Sequence, residues 1–295
     1  MQKKANMALI GSMIIFGTIG IFRRYIPLPS GMIACARGLI GMLFLMLYIR
    51  MKGIRLNGSA LRRNGWKLFV SGLFLGFNWI LLFEAYRYTS VAVATLCYYM
   101  APILIILVSP LLFREKLTGW KLLCVAMALV GMVLVSGITQ PGGQGSNQGL
   151  GILLGLGAAV LYAAVVLMNK KIEGVAPYDK TIVQLGTAAV TILPYTLLTE
   201  RAEPGAFSVL TILCLLLVGI VHTGVAYALY FGAVTDVKAQ TAALLSYLDP
   251  VVAILLSALL LGENLTLHGL IGAVLVLGAA FLSERQPEIQ TTKTE

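Results

Sequence analysis

Two stretches decide the architecture: "TLCYYMAPILIILVSPLLFREKLT" (95–118) and "ALLSYLDPVVAILLSALLLGENLT" (243–266). They lie 148 residues apart, about half the chain. Aligned from 93–118 against 241–266, 12 of 26 positions are identical. Leu and Ile matches carry little weight in an apolar chain. Tyr99 with Tyr247, Pro102 with Pro250, Ser109 with Ser257 and Glu115-x-Leu-Thr with Glu263-x-Leu-Thr carry more. A repeat of this length points to a duplicated structural unit.

Composition names the solvent. Of 295 residues, 59% are hydrophobic and 12% charged, and the mean hydropathy is +0.90. A soluble chain carries about twice that charge fraction. Long apolar runs with almost no charge predict membrane-spanning helices. Ten are expected, near 6–22, 31–49, 67–86, 91–113, 120–138, 150–169, 180–198, 207–232, 239–262 and 267–283. Lys3 and Lys4 before the first run look like a signal peptide. Arg23 and Arg24 after it, with no small-residue cleavage site, favour a first span instead.

With the N-terminus placed in the cytoplasm, 17 Lys and Arg fall on the inner side and four on the outer, with Arg37 inside a span. That bias predicts both termini in the cytoplasm. It also explains the net charge of +10 without nucleic acid, for which there is no motif. Two sets of five spans force the second set to enter the membrane from the opposite side. The charges agree: Arg114 and Lys116 of the inner "REKLT" are replaced by Gly262 and Asn264 in the outer "GENLT". Inverted repeats are a recurrent plan of secondary transporters. The division expected is 1–138, a Gly-rich linker 139–149, 150–284, and a polar cytoplasmic tail 285–295.

Each half resembles an EamA domain of the drug/metabolite transporter superfamily. The likeness rests on "FEAYRYTSVAVATLCYYMAP…REKLTGWKLLCVAMALVGMVLVS" and "YFGAVTDVKAQTAALLSYLDP…GENLTLHGLIGAVLVLGAAFLS". It covers nearly the whole chain and lies in the order of the elements and their duplication. Two departures are Arg114, where the family's turn after the fourth helix usually has a small residue, and "TDVKAQ" (235–240), where the family's "yts" type turn follows the third helix of the second repeat. The resemblance implies a ten-helix exporter or exchanger of small metabolites, amino acids or drugs, with a central cavity between the halves.

Polar groups in hydrocarbon need a reason. Arg37 could attract a carboxylate or phosphate, snorkel outward, or pair with Glu84. Asn78 could face the cavity or bond a neighbouring helix. Trp79 aligns with Tyr227, so aromatic rings could line both sides of a cavity. The "GLFLG" at 72–76 predicts close helix approach. His222, halfway along the eighth span, is either a proton carrier or a hydrogen-bonded neutral side chain. Pro102 and Pro250 each remove a helical hydrogen bond, leaving carbonyls for a ligand or a neighbour. Tyr98, Tyr99 and Tyr247 stand beside them. Twelve residues from Pro250 to Leu261 make about 18 Å of helix, too short for a ~30 Å core. The ninth span is therefore expected to break, with Asp249 and Pro250 starting the second piece. Asp249 has Ala101 in its twin slot, so the break does not require the acid.

Four cysteines without CxxC spacing read as small buried residues. HExxH and G-x-S-x-G are absent, so no enzyme, cofactor or metal is expected. The reading is a secondary active transporter in a bacterial plasma membrane that exports a small metabolite by alternating access. A passive facilitator or pore and a multidrug exporter are the alternatives. The partners expected are a small-molecule substrate, the lipid bilayer and, in a coupled mechanism, protons; monomer and homodimer are both open.

Overall fold

The computed structural model describes residues 2–23, 25–89, 94, 97–136, 147–261 and 267–284. Most of the linker, the "GENLT" turn and the 285–295 tail lie outside these residues. The described residues form helices joined by turns and short connections, with no strand among them. In chain order the helices are α1 (Gln2–Gly17), α2 (Ile19–Arg23), α3 (Ser30–Met51), α4 (Gly58–Tyr88), α5 (Ala101–Phe113), α6 (Gly119–Ser136), α7 (Gln148–Lys171) and α8 (Pro177–Thr199). There follow α9 (Val209–Leu217), a π-helical segment (Val218–Val225), α10 (Ala226–Ala233), α11 (Ala239–Leu245), α12 (Leu248–Leu261) and α13 (Leu267–Glu284). Six helical stretches are long and apolar enough to cross a membrane: Lys3–Arg23, Ser30–Met51, Gly58–Tyr88, Gln148–Lys171, Pro177–Thr199 and Val209–Ala233. Three shorter apolar helices fall at Ala101–Phe113, Gly119–Leu134 and Leu267–Ala279.

The packing follows the repeat. α4 lies along α7, and its twin contact joins α10 to α1. α1 meets α12, and the twin contact joins α7 to α5. α4 packs on α8, and α3 packs on the π segment in the same way. The pairs α3–α8 and α6–α13 are their own twins. Exchanging the halves thus maps the contacts onto themselves, as a pseudo-twofold axis requires.

Close approach sets this packing. A Cβ on Gly76 would lie 2.8 Å from Thr191 Cβ and 2.9 Å from the Ala188 carbonyl, so α4 meets α8 only because the residue is glycine.

Helix ends must be satisfied without water. Asn57, Asn147 and Ser208 cap their own helices. Pro29 offers no side-chain cap to α3, and Glu200, just after α8, supplies one, accepting from Gly31 N at 2.9 Å and Met32 N at 2.8 Å. Lys180, at the start of the expected seventh span and one of the 17 Lys and Arg on the inner side, is 1% exposed. It donates to the carbonyls of Asn169 and Ile172 at the end of α7, both at 3.2 Å, where a cation is favoured.

Candidate functional site

The spans that sequence expects to bend are broken. Span four turns at Tyr99–Met100 before α5, and span nine turns at Ser246–Tyr247 between α11 and α12. Pro102 and Pro250 sit in the first turn after each break, where the missing N–H costs least. α12 begins at Leu248, so Asp249 lies in its first turn. The first span also breaks, at Thr18. A Cβ on Gly17 would sit 2.8 Å from the Asp249 carbonyl, so the broken first and ninth spans touch at their breaks.

These breaks surround a cavity of about 610 Å³ between the halves. Its wall includes Arg37, Trp79, Tyr98, Tyr99, Pro102, Tyr227 and Asp249. The Arg37 guanidinium carbon lies 4.5 Å from the Trp79 ring centroid, a cation–π contact that fixes the head group. Tyr227 packs edge-on against Trp79 at 6.5 Å between ring centres, so the twin aromatics meet across the halves. The Tyr99 hydroxyl donates to Asp249 Oδ2 at 3.2 Å. The cavity therefore holds the Asp249 carboxylate and the Arg37 guanidinium in an aromatic wall. Neither has a charged twin: the matching slots hold Ala101 and Leu185.

Four expected residues lie elsewhere. Asn78 is fully buried, and its amide donates to the Ala158 carbonyl of α7 at 2.7 Å. One residue from Trp79 is about 100° around a helix, which turns Asn78 from the cavity to the neighbouring helix. His222 is 2% exposed and pairs Nε2 with Thr18 Oγ1 at 2.7 Å, tying the break in the first span to the π segment. Tyr247 backs the wall: its hydroxyl donates to the Tyr99 carbonyl at 3.0 Å, and the two rings lie 6.4 Å apart. The expected Arg37–Glu84 pair is replaced. Glu84 is held by Arg87 at 2.9 Å, one turn along α4, and by the Tyr195 hydroxyl of α8. Arg37 reaches Trp79 instead.

Sequence reading missed Tyr162 and Arg23, both in the cavity wall. The Tyr162 ring packs on Tyr98 at 5.5 Å. Its twin slot holds Ile14, so the repeat gives no signal for it. Arg23 donates to the Ile26 and Leu28 carbonyls at 2.7 and 3.2 Å, folding the α2–α3 connection over one end of the cavity wall. Among the described residues, no wall residue comes from the other end, where most Lys and Arg lie.

A model of the EamA-like transporter family matches residues 3–137 and again 149–284. An uncharacterized transporter of Bacillus subtilis (strain 168), YxxF, is 30% identical over 99% of this chain and 93% of its own length. A probable amino-acid metabolite efflux pump of Salmonella typhimurium is 31% identical over 58% of this chain and 60% of its own. A solved crystal structure superposes with a TM-score of 0.82 at 22% identity, covering 95% of this chain and 96% of that one, which establishes a shared fold.

Proposed function

Because the chain belongs to the EamA-like transporter family, we propose that it is a secondary active transporter of small zwitterionic metabolites of the amino-acid class. The observation that carries the reading is the pairing of Arg37 and Asp249 in one aromatic-walled cavity between the halves. A substrate bearing a carboxylate and an ammonium would satisfy both groups, and its apolar part would contact Trp79, Tyr98 and Tyr227. Charge-assisted hydrogen bonds of this kind are the strong ones.

Ten spans, built as 1–138 and 150–284 around the 139–149 linker, cross a bacterial plasma membrane with both termini inside. The 17-to-4 distribution of Lys and Arg supports that orientation. The cavity then faces outward and is shut at the basic end, one station of an alternating-access cycle. The kinship with a protein named an efflux pump supports export. Asp249 is the group proposed to exchange its proton for substrate. Among the described residues, the absence of wall residues from the basic end favours a carrier over an open pore.

Purified protein in proteoliposomes should show counterflow of at least one amino acid from a panel, with uphill movement driven by a pH gradient. Conductance in a planar bilayer without counterflow would sink the carrier reading. Transport indifferent to the gradient, and unchanged in Asp249→Asn, would sink coupling through Asp249.

A further inference from the structure

We infer that Glu115 is the latch holding the basic end of the cavity shut, and that it must release the second half for a solute to pass. The inference rests on the alternating-access reading above.

Glu115 follows Arg114, the non-glycine residue among those described with a positive φ, 55°. That left-handed turn ends α5 and sends the next side chain back across the bundle. The Glu115 carboxylate accepts from Ala239 N at 2.8 Å and from Gln240 N at 3.3 Å, the opening residues of α11. Lys170 stands 4.0 Å away and donates to the Val237 carbonyl, just before the same helix. The Gln240 amide donates to Ser109 Oγ at 3.0 Å, and Lys170 lies 5.3 Å from the Phe113 ring centre. Ser109, Phe113 and Glu115 thus all bind the second half. The Glu115 and Lys170 side chains are only 10% and 14% exposed.

Two features make this a latch rather than general glue. First, both latched segments run directly to the cavity. α5 leads from Pro102 to Glu115. α11, with all seven residues buried, leads from Ala239 to the break before Asp249. Releasing Glu115 frees the far end of the segment whose near end adjoins the break before Asp249, the cavity's carboxylate. Second, the contacts are polar. Water entering from the basic end can replace each of them, whereas interdigitated apolar side chains have no such substitute. Release of these contacts would give the seam the second arrangement that a two-state element requires.

The test reads closure without needing a substrate. In full-length protein with Cys35, Cys97, Cys124 and Cys214 replaced, a Val237→Cys reporter, 2% exposed as Val, is labelled by an impermeant maleimide from the basic face. Glu115→Ala should raise the labelling rate at least tenfold, and Glu115→Gln several-fold, because the amide still accepts one N–H. Lys170→Met should raise it less, because both N–H bonds survive. Glu115→Ala or Glu115→Gln protein that keeps its thermal midpoint yet labels at the parent rate overturns the latch. If Glu115→Ala does not fold, Glu115→Gln and Lys170→Met decide by the same criterion. A rise in labelling with no solute transported by any form leaves the latch standing and overturns the transport reading.

Discussion

The broken span of the first half and that of the second share a turn, a tyrosine and a proline, and at the cavity they differ in one acid. Both turn within one slot of each other, both place a proline in the next first turn, and both carry a tyrosine at the turn. Tyr99 and Tyr247 meet near the pseudo-twofold axis. Only the second copy has an acid, so Tyr99 finds Asp249 and Tyr247 finds a backbone carbonyl. Symmetry builds the break and the cavity; asymmetry supplies the charge. The same holds for Arg37, whose twin is Leu185. A pseudo-symmetric scaffold can exchange its ends while an asymmetric pair of charges reads a substrate that itself has two unlike ends.

The sharpest way to break that comparison is to remove its acid. Asp249→Asn keeps the shape and should weaken substrate binding by about 10–150-fold, the range for a hydrogen bond to a charged group. Binding to detergent-purified protein would measure it. Unchanged affinity would mean that the two copies of the break are functionally equivalent. Arg37→Met should cost about tenfold on the same assay. Arg37→Lys should recover only part of it, because an ammonium lacks the planar fork that stacks on Trp79 and meets a carboxylate on two atoms.

The halves can also be compared by packing. Gly76 and Gly224 occupy twin slots. A Cβ on Gly76 meets the Ala188 backbone at 2.9 Å, whereas on Gly224 its nearest neighbour is the edge of the Phe44 ring at 3.1 Å. A ring can turn and a carbonyl in a packed helix cannot. Gly76→Ala should therefore lower stability by about 1–3 kcal/mol. Gly224→Ala should cost less than about 1 kcal/mol on the same scale. Thermal unfolding in detergent would rank them. Equal midpoints would mean that α8 yields as readily as a side chain.

How much of this was legible in the sequence depends on range. The apolar runs, the basic bias and the repeat carry the helical class, the pairing of halves and the two breaks, because each is written in local composition or in identity between slots. The partners of single polar groups were not written there. Arg37 and Glu84 lie at similar depth, yet helix rotation gives one to Trp79 and the other to Arg87 and Tyr195. Asn78 and Trp79 are adjacent in sequence and face different neighbours. Lys180 looks like one more inner-side charge until the end of α7 arrives over it. Depth follows from counting residues; azimuth follows from packing that only the folded bundle supplies.

The finest test separates the two tyrosines. Tyr99→Phe removes the hydroxyl that donates to the Asp249 carboxylate, a bond worth about 1.5–3 kcal/mol when the acceptor is charged. Its loss should change substrate affinity and the pH dependence of transport together, because the acid then has one partner fewer in the absence of substrate. Tyr247→Phe removes a neutral bond to the Tyr99 carbonyl, worth about 0.5–1.5 kcal/mol. It leaves the carboxylate's own partner in place, so it should lower the thermal midpoint slightly and leave the pH profile of transport where it was. Twin slots, one hydroxyl each and different acceptors make this pair its own control. If both variants shifted the profile alike, the two tyrosines would act as one coupled network through their stacked rings, and the asymmetry would belong to the whole break rather than to Asp249.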